Sequence, residues 1–480
     1  MGVQQVRIGS RRSPRERDRG GRQASTEVRA ASVGPTRART TTARRLASAV
    51  GTVALLAVTG CGSTTLDDIK VGPGKGWPVA YHDGRNSAST AVEGSRHLVA
   101  PWRRPLGGPA QAPTLVGPGG QTFVTTQLPT DCVGNPGPSG AMFSFQMHTG
   151  RKRFCSPMGT DTITAGAAVD GLENVYVGDD GGVFSYNSQG QPRWRTPVAG
   201  VPMSVQFTAE GDVLSVTQSG QIDVLNRQTG DLTAPTFQAL GEPDFLQQSD
   251  LPRSPDGRGI ADCASGGPDC PVANVSAIDH DSGRFYLTLR HRNAPDAALV
   301  ALRLADGRIS QDWSAGILTG GSATAPALTD DGKTLYVGDN SGRLLAVDTG
   351  DGHTKWAQPV GFTPRGAVSI RDGLLIPGGD QGHLLAVHDD GTSARIAWER
   401  KDLPLRGQPV QTAGDTGYTV SPDGDALNLT TFDTRNGNTV ATNALPGVRG
   451  DTVGTAVSDE RDVVVTTRLG ELLAFQPDDA

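Results

Sequence analysis

Histidine and acidic side chains are the groups of this 480-residue chain best suited to hold a metal ion or to transfer a proton. The eight histidines are scattered, and the nearest pair on one predicted strand is His383 and His388. Their odd spacing points the two rings to opposite faces of a strand. Asp279, His280 and Asp281 alternate like the start of a calcium loop, but the further ligands of such a loop do not follow. The sequence therefore predicts no metal site.

Nucleophiles and phosphate-binding loops are the next candidates for chemistry. Residues 338–342 read GDNSG, which superficially resembles a serine-hydrolase loop, but the counterpart at residues 178–182 reads GDDGG and has no serine. No glycine-rich phosphate loop and no nucleophile elbow occurs. We therefore predict no catalytic residues and no bound cofactor.

Cys61 is the one residue whose context predicts a covalent modification. Residues 46–60 read LASAVGTVALLAVTG and follow an Arg-Arg pair, a pattern typical of a secretory signal peptide. The sequence VTGC at residues 58–61 resembles the bacterial lipobox, in which the cysteine receives a diacylglycerol and becomes the new N-terminus. The resemblance predicts lipidation of Cys61 and a lipid-anchored protein on the extracytoplasmic face of the cell membrane. The arginine pair leaves Sec and twin-arginine export both open.

Four further cysteines remain after Cys61, and an even number in an exported protein favours disulfides. Local pairing is the simplest arrangement, with Cys132 bonded to Cys155 and Cys263 bonded to Cys270. A metal or redox site is disfavoured because the chain has no Cys-x-x-Cys motif and no histidine next to these cysteines.

Charge is unevenly distributed along the chain. Residues 1–60 hold twelve arginines and three acidic residues, and the remainder has a net charge of −15. Because nucleic-acid binding depends on clustered lysine and arginine, the acidic remainder argues against a nucleic-acid partner.

A repeat of about forty residues organises the acidic part of the chain. Residues 165–196, 323–357 and 365–399 share one template: small apolar residues, a turn, an apolar strand, Gly-Asp, a second apolar strand, a turn and a tryptophan. A glycine marks one turn of each repeat at Gly150, Gly190, Gly230, Gly307, Gly350, Gly391 and Gly437. Four short strands at this period are typical of one β-propeller blade.

The number of repeats predicts an all-β, eight-bladed propeller of four-stranded antiparallel blades, with seven blades as the alternative. The last repeat, at residues 455–476, lacks a fourth strand, and residues 101–106 read like one. We therefore expect N-terminal and C-terminal strands to close the ring in one blade. The long interval between Gly230 and Gly307 contains residues 238–273, which we interpret as a surface insertion. The candidate partner contacts in this insertion are Asp244, Phe245, Leu246 and Leu251.

The repeats resemble the quinoprotein-type (pyrroloquinoline-quinone, PQQ) propeller family. The residues that carry the resemblance are 336–339 (YVGD), 342–350 (GRLLAVDTG), Trp356, and the lead-in at residues 77–78 and 81–86. The family implies that Trp194, Trp313, Trp356 and Trp398 pack between neighbouring blades. One branch comprises quinone-dependent dehydrogenases with a calcium ion, and the other comprises BamB-like envelope lipoproteins without cofactor. The length and the lipobox favour the BamB-like branch.

The sequence thus predicts three parts: a leader at residues 1–60, a tether at residues 61–76, and a propeller at residues 77–480. The predicted function is that of a non-catalytic scaffold, attached to the membrane by a lipid, which binds a protein or cell-envelope partner. A PQQ-dependent dehydrogenase of alcohols or sugars and a sensor of glycans or small ligands are the alternatives.

Overall fold

The structure consists of eight blades of four antiparallel β-strands arranged in a ring, and the sheet of one blade has a fifth, parallel strand. It is a computed structural model that describes residues 73–159, 166–180, 182–241, 260–291 and 294–478. The prediction of an eight-bladed propeller is confirmed, and the alternative of seven blades is wrong. The leader, Cys61 and the tether up to residue 72 lie outside the described residues, as do insertion residues 242–259 with the four candidate contacts.

Two strands precede the first complete blade, β1 (Ser89–Glu93) and β2 (Leu98–Pro105). The strands of blades 1 and 2 are β3 (Leu115–Val116), β4 (Gln121–Thr130), β5 (Pro136–Gln146), β6 (Lys152–Met158), β7 (Ala167–Val169), β8 (Val175–Asp179), β9 (Gly182–Tyr186) and β10 (Pro192–Thr196). The elements of blades 3 and 4 are β11 (Pro202–Phe207), β12 (Val213–Thr217), β13 (Gln221–Leu225), β14 (Phe237–Gln238), the helix α1 (Ile260–Cys263), β15 (Ala277–Asp279), β16 (Arg284–Leu289), β17 (Ala297–Ala305) and β18 (Arg308–Leu318).

The second half of the ring repeats this arrangement. The strands of blades 5 and 6 are β19 (Ala327–Leu328), β20 (Thr334–Gly338), β21 (Arg343–Asp348), β22 (Thr354–Pro359), β23 (Thr363–Arg371), β24 (Leu374–Asp380), β25 (His383–Asp389) and β26 (Ala394–Pro404). The later strands of blades 7 and 8 are β27 (Val410–Ala413), β28 (Thr416–Asp423), β29 (Ala426–Asp433), β30 (Thr439–Leu445), β31 (Thr452–Val457), β32 (Val463–Thr467) and β33 (Glu471–Pro477).

Blade 8 closes the ring, because its fourth strand comes from the N-terminal part of the chain. Strand β2 pairs antiparallel with β33, with Trp102 opposite Ala474 and Pro105 opposite Glu471. The predicted closure by strands from both ends of the chain is therefore correct. Each blade then has a neighbour on both sides, so its middle strands are buried on both faces: all five residues of β20 are buried, for example.

Aromatic side chains of the fourth strands hold neighbouring blades together. The indole of Trp102 in blade 8 covers Gly150 in blade 1, where an added Cβ would lie 2.5 Å from the ring. The same arrangement recurs between blades 2 and 3, 4 and 5, and 6 and 7, through the pairs Trp194–Gly230, Trp313–Gly352 and Trp398–Gly437. These glycines have positive φ, so they provide both the turn conformation and the space for the ring.

Each of these indoles also forms a hydrogen bond across the blade boundary. Trp194 Nε1 donates to the carbonyl of Arg227 at 3.0 Å, and Trp398 Nε1 donates to that of Thr434 at 2.8 Å. Trp356 is 8% exposed, and its Nε1 donates to Asp389 Oδ1 at 2.8 Å. The prediction that these tryptophans pack between blades is confirmed.

Both predicted disulfides are present, and they lie in different settings. Cys132–Cys155 joins the β4–β5 loop to β6 within blade 1. Cys263–Cys270 closes the short loop after α1, and both of its cysteines are buried. No helix among the described residues has the length and apolar character needed to cross a membrane.

Candidate functional site

The segment of residues 77–93, which we name the axial belt, passes along the inner strands of the ring. It begins at blade 1, where Trp77 and Val116 exchange backbone hydrogen bonds of 2.8 and 2.9 Å, and continues past blade 2 through a bridge between Val79 and Ala168. It ends in blade 7, where β1 pairs in parallel with the inner strand β27. The belt therefore contacts blades on both sides of the axis before the chain enters blade 8.

The middle of the belt bonds to blades 4, 5 and 6 at the ends of their inner strands. The carbonyls of Gly84, Arg85 and Ser87 accept hydrogen bonds from the backbone N–H groups of β15, β19 and β23 at 2.7–2.8 Å. These contacts satisfy donors that the inner strand of a propeller blade otherwise leaves open toward the axis.

Asn86 lies at the centre of the belt and is fully buried. Its Nδ2 donates to the carbonyl of Pro326 at 2.9 Å and of Val275 at 3.4 Å, and its Oδ1 accepts from Gln206 Nε2 at 3.4 Å. One side chain thus connects blades 3, 4 and 5. The backbone around it is unusual, since Asn86 and Ala88 have φ values of 57° and 46°. Backbone strain of this kind persists only where the surroundings fix the conformation.

Asp83 holds the turn of the belt together. Its Oδ1 accepts the backbone N–H groups of Arg85 at 3.1 Å and Ser87 at 3.0 Å, and its Oδ2 accepts Arg85 Nη2 at 3.0 Å. Burial raises the pKa of this carboxyl. The hydrogen bond and charge of His82, the charge of Arg85 and the N–H of Ser87 outweigh that effect and lower the pKa to about 2.

A cavity of about 690 Å³ lies on the axis where the inner strands begin, and Ala80 and Tyr81 of the belt contribute to its lining. The Tyr81 hydroxyl donates to Asn274 Oδ1 at 3.2 Å. Burial raises the pKa of Tyr81, while the hydrogen bond to Asn274 and the nearby charge of Arg468 act in the opposite direction. The belt and the residues after the disulfide loop therefore meet inside the cavity.

The disulfide loop at residues 263–270 forms part of the cavity wall. Cys263, Ala264 and Ser265 line the space, and the Ser265 carbonyl accepts Asn340 Nδ2 of blade 5 at 2.9 Å. The carbonyl of Gly266 accepts Arg290 Nη1 of blade 4, also at 2.9 Å. This part of the insertion is thus fixed to two blades and reaches the channel, so it is not confined to the outer surface.

Positive charge predominates among the ionisable residues around this cavity. Arg365, Arg406 and Arg468 line it, whereas Asp451 is the one acidic residue among the described lining residues. Asp451 Oδ1 lies 3.3 Å from Arg406 Nη1, and both side chains are about half exposed. Arg365 Nη1 donates to Asn340 Oδ1 at 2.7 Å, so this arginine is held against the wall. The mouth is suited to an anionic group.

A calcium-bound quinone does not fit the donors of this cavity. Calcium in proteins takes about six to eight oxygen ligands, with carboxylates prominent among them. The described lining residues offer the carboxylate of Asp451 alone, and that carboxylate is paired with Arg406. Trp77 belongs to the packed core of blades 1, 7 and 8 and leaves the cavity no indole surface. We derive no chemical step through such a group.

Sequence reasoning placed the tryptophans and cysteines but did not find the residues that shape the cavity. Asn86, Tyr81 and Asp83 belong to the lead-in that carried the family resemblance, yet nothing in the repeat assigns them to the axis. Arg365 and Arg406 lie in or just before an inner strand of their repeats, whereas Arg468 lies in the turn between β32 and β33. A comparison of charged residues at equivalent positions of the repeats would have singled out these arginines.

The comparisons with known proteins give one curated relative and a family model. The chain is 32% identical over 426 residues to Protein Rv3035 of Mycobacterium tuberculosis (strain ATCC 25618 / H37Rv), covering 87% of this chain and 100% of that protein. A family model described as outer membrane protein assembly factor BamB matches residues 269–440.

Solved structures with the same fold include BamB and two dehydrogenases. BamB from Moraxella catarrhalis is 16% identical with a TM-score of 0.55, covering 79% of this chain and all of that one. A europium-containing methanol dehydrogenase is 12% identical with a TM-score of 0.59, covering 84% of this chain and 98% of that one. A quinohemoprotein alcohol dehydrogenase from Comamonas testosteroni is 14% identical with a TM-score of 0.58, covering 83% and 80%. At such identities the likeness shows the fold alone.

Proposed function

Because this chain is a PQQ-like repeat β-propeller and belongs to the same family as the Mycobacterium tuberculosis protein Rv3035, we propose that it is a non-catalytic scaffold of the cell envelope. A lipid on Cys61 anchors it to the extracytoplasmic face of the cell membrane. The mouth of the axial cavity binds an anionic segment of an envelope protein or cell-wall component.

The scaffold proposal depends on one observation, which is that the axial belt of the chain itself lies along the axis of the ring. The axial belt bonds to the inner strands, and the described residues that line the remaining cavity offer one paired carboxylate beside three arginines. A calcium–quinone pair needs several carboxylate oxygens in the same place. A rigid ring with a cationic mouth is instead suited to recognition, because affinity for an anionic partner grows when its ligands are preorganised.

Two features support the lipid anchor. The apolar run at residues 46–60 ends at a lipobox-like VTGC, and a short polar stretch separates Cys61 from the ring. Expressed in a bacterium with a lipoprotein pathway, the wild-type chain is expected in the membrane fraction with a diacylglycerol on Cys61. Cys61→Ser is expected to lose the lipid, as measured by mass spectrometry. An unmodified Cys61 in the mature wild-type protein would contradict the anchor and leave the binding proposal standing.

The partner proposal is tested by photo-crosslinking in living cells. A photoreactive amino acid is introduced at position 468, which lines the cavity mouth. In the matched control, the same photoreactive amino acid is introduced at position 395 on the outer strand β26. We expect a specific adduct from position 468 alone, weakened at least several-fold by Arg406→Glu. Equal adducts at both positions, or insensitivity to Arg406→Glu, would show that the mouth is not the binding surface.

The dehydrogenase alternative has a direct assay. The full-length protein, incubated with pyrroloquinoline quinone and calcium, is mixed with an electron-accepting dye and a panel of alcohols and sugars. We expect no dye reduction above that of a protein-free control. Sustained turnover of any substrate would replace the scaffold proposal with an enzymatic function.

A further inference from the structure

A second cluster of polar side chains lies at the boundary between blade 8 and blade 1, away from the axial cavity. Glu460 and Asp462 belong to the turn that joins β31 to β32 in blade 8, and His148 belongs to the turn that joins β5 to β6 in blade 1. Because β2 pairs with β33 inside blade 8, this boundary brings the C-terminal strands of the ring against the first complete blade.

The three side chains converge from the two blades. His148 Nε2 lies 3.5 Å from Glu460 Oε2, and His148 Nδ1 lies 3.8 Å from Asp462 Oδ2. One donor atom from each residue can be chosen so that all three lie within 4.8 Å of one another. Donor atoms that share a metal ion at about 2.0–2.2 Å in a tetrahedral site lie about 3.3–3.6 Å from each other, so the side chains must approach by about 1 Å to bind one ion.

Asp462 is buried with one carboxylate oxygen unpartnered, which distinguishes it from an ordinary surface acid. Its side chain is 2% exposed, and its Oδ1 has no hydrogen-bond partner among the described residues. Burying a carboxylate oxygen without a partner costs several kcal/mol, so such a group in a native fold calls for a specific explanation, such as a bound ion.

The turn itself does not require this buried carboxylate. Residues 208–212 of blade 3 form the same turn, with Thr208 N donating to Asp212 O at 2.9 Å, as Ser458 N donates to Asp462 O at 2.8 Å. The equivalent Asp212 accepts a hydrogen bond from Thr233 Oγ1 at 2.9 Å and is only half-buried. The burial of Asp462 against His148 is therefore particular to the closing boundary.

Gln476 on β33 fixes the position of the imidazole. Its Nε2 lies 2.9 Å from His148 Nδ1 and donates to the His148 carbonyl at 3.1 Å. A metal-bound histidine usually has its second ring nitrogen hydrogen-bonded to a polar group of this kind, which orients the ring. With Nδ1 next to Gln476, His148 Nε2 is the ring nitrogen available to an ion, and it lies 3.5 Å from Glu460 Oε2.

We propose that His148, Glu460 and Asp462 bind one divalent transition-metal ion, for which Zn²⁺ is the best match, and that the ion connects blade 1 to blade 8. One imidazole and two carboxylates suit zinc, which is bound by nitrogen and oxygen ligands in a four-coordinate site. Calcium is a poorer match because it takes oxygen ligands. The exposed Glu460 and His148 give the ion a path from solvent, and water completes the coordination.

Isothermal titration of the purified full-length protein with Zn²⁺ tests the site. We expect one ion per chain, and we expect Glu460→Gln and His148→Ala to weaken binding at least tenfold. Glu460 is exposed, so its substitution leaves the fold intact and keeps the test informative even where Asp462→Asn is hard to purify. Asp212→Asn, in the equivalent turn of blade 3, is the matched control and is expected to bind like wild type.

A second readout connects the ion to ring closure. Zn²⁺ is expected to raise the melting temperature of the wild type and of His353→Ala, a control in the exposed cluster Asp348, Asp351 and His353. It is expected to leave that of Glu460→Gln unchanged. Absence of stoichiometric binding, or binding that His353→Ala abolishes and Glu460→Gln does not, would overturn the proposal.

Discussion

At the outer edge of the ring, a fourth-strand tryptophan of one blade packs on a turn glycine of the next, whereas at the axis the single segment of residues 77–93 bonds to the inner strands of several blades. The outer contact recurs four times with nearly the same geometry. The axial contact occurs once and differs at every blade. The two regions perform the same task, holding blades together, by repetition in one place and by a unique segment in the other.

In this repeat protein, the contacts that recur between blades stabilise the ring, and the segment that occurs once makes this propeller different from others. An outer contact involves two neighbouring blades, so its loss is felt by those two. The belt contacts many blades at once, and it also contributes to the cavity through Ala80 and Tyr81. We therefore expect the axis to be the place where one propeller differs in function from another of the same fold.

The largest expected effect is at the outer edge. Trp356→Ala removes a side chain that is 8% exposed, packs against Tyr336 at 5.9 Å between ring centroids, and donates to Asp389. The substitution leaves a cavity between blades 5 and 6 and should lower the free energy of unfolding by about 3–5 kcal/mol. Chemical denaturation measures the loss.

The location of that loss is as informative as its size. Hydrogen exchange in Trp356→Ala should rise in blades 5 and 6, with the blades across the ring unchanged. Trp356→Phe keeps most of the packing and gives up the hydrogen bond to the Asp389 carboxylate, which is worth about 1.5–3 kcal/mol. A uniform rise in exchange around the whole ring would mean that outer contacts are not local.

Asn86→Ala is the corresponding test at the axis, with an expected loss of about 2–3 kcal/mol. The substitution removes three hydrogen bonds and leaves Gln206 and the carbonyl of Pro326 buried with a partner missing. Exchange should now rise in blades 3, 4 and 5 together, as measured by mass spectrometry.

A glycine at the same position separates the side chain from the backbone. Asn86 has a φ of 57°, which costs alanine about 1 kcal/mol and costs glycine little. Asn86→Gly should therefore be the milder of the two variants. An Asn86→Ala protein that exchanges like wild type would show that the belt does not couple the blades.

Acid should weaken the axis through the carboxyl group of Asp83. The pKa of Asp83 is about 2 in the fold and near 4 in the unfolded chain, so its stabilisation is complete above pH 4 and is lost as the pH falls through 2. A shift of this size corresponds to about 2 kcal/mol.

Comparison of the wild type with Asp83→Asn isolates this contribution. The difference between their unfolding free energies should shrink by about 2 kcal/mol between pH 5 and pH 2, because every other acid titrates alike in both proteins. Parallel stability curves over that range would show that the belt does not depend on the Asp83 carboxylate.

The outer region could be read from the sequence because it is repeated. The period of the turn glycines predicted the blades, and the tryptophans marked the fourth strands; in the structure Trp356 stands opposite Ala346 and Trp398 stands opposite Ala386. In one repeat the turn glycine named from the period is not the glycine that packs on the tryptophan. Trp313 packs on Gly352, and Gly350 lies in the same turn. Repetition made each interpretation testable against the other copies.

The axis could not be read in the same way because it has no second copy. Asn86 and Tyr81 look like loop residues, and only the closed ring shows that they meet blades far away in the sequence. The cysteine loop looked like part of a surface insertion because its polar composition is that of a loop. Cys270 is 1% exposed all the same, since the loop folds over the channel. Contacts across the axis leave no local pattern.

The smallest expected effect comes from making the outer contacts more alike. Between blades 1 and 2 the position of the tryptophan is taken by Phe154, which stands opposite Ser144, as Trp194 stands opposite Ser185. Its ring covers Gly190, where an added Cβ would lie 2.4 Å away. Because Phe154 is only half-buried, the larger indole can extend toward solvent, and Phe154→Trp should change the unfolding free energy by less than about 1 kcal/mol. A loss of unfolding free energy above about 2 kcal/mol in denaturant titration would mean that the outer contacts are not interchangeable and that each is specific to its own pair of blades.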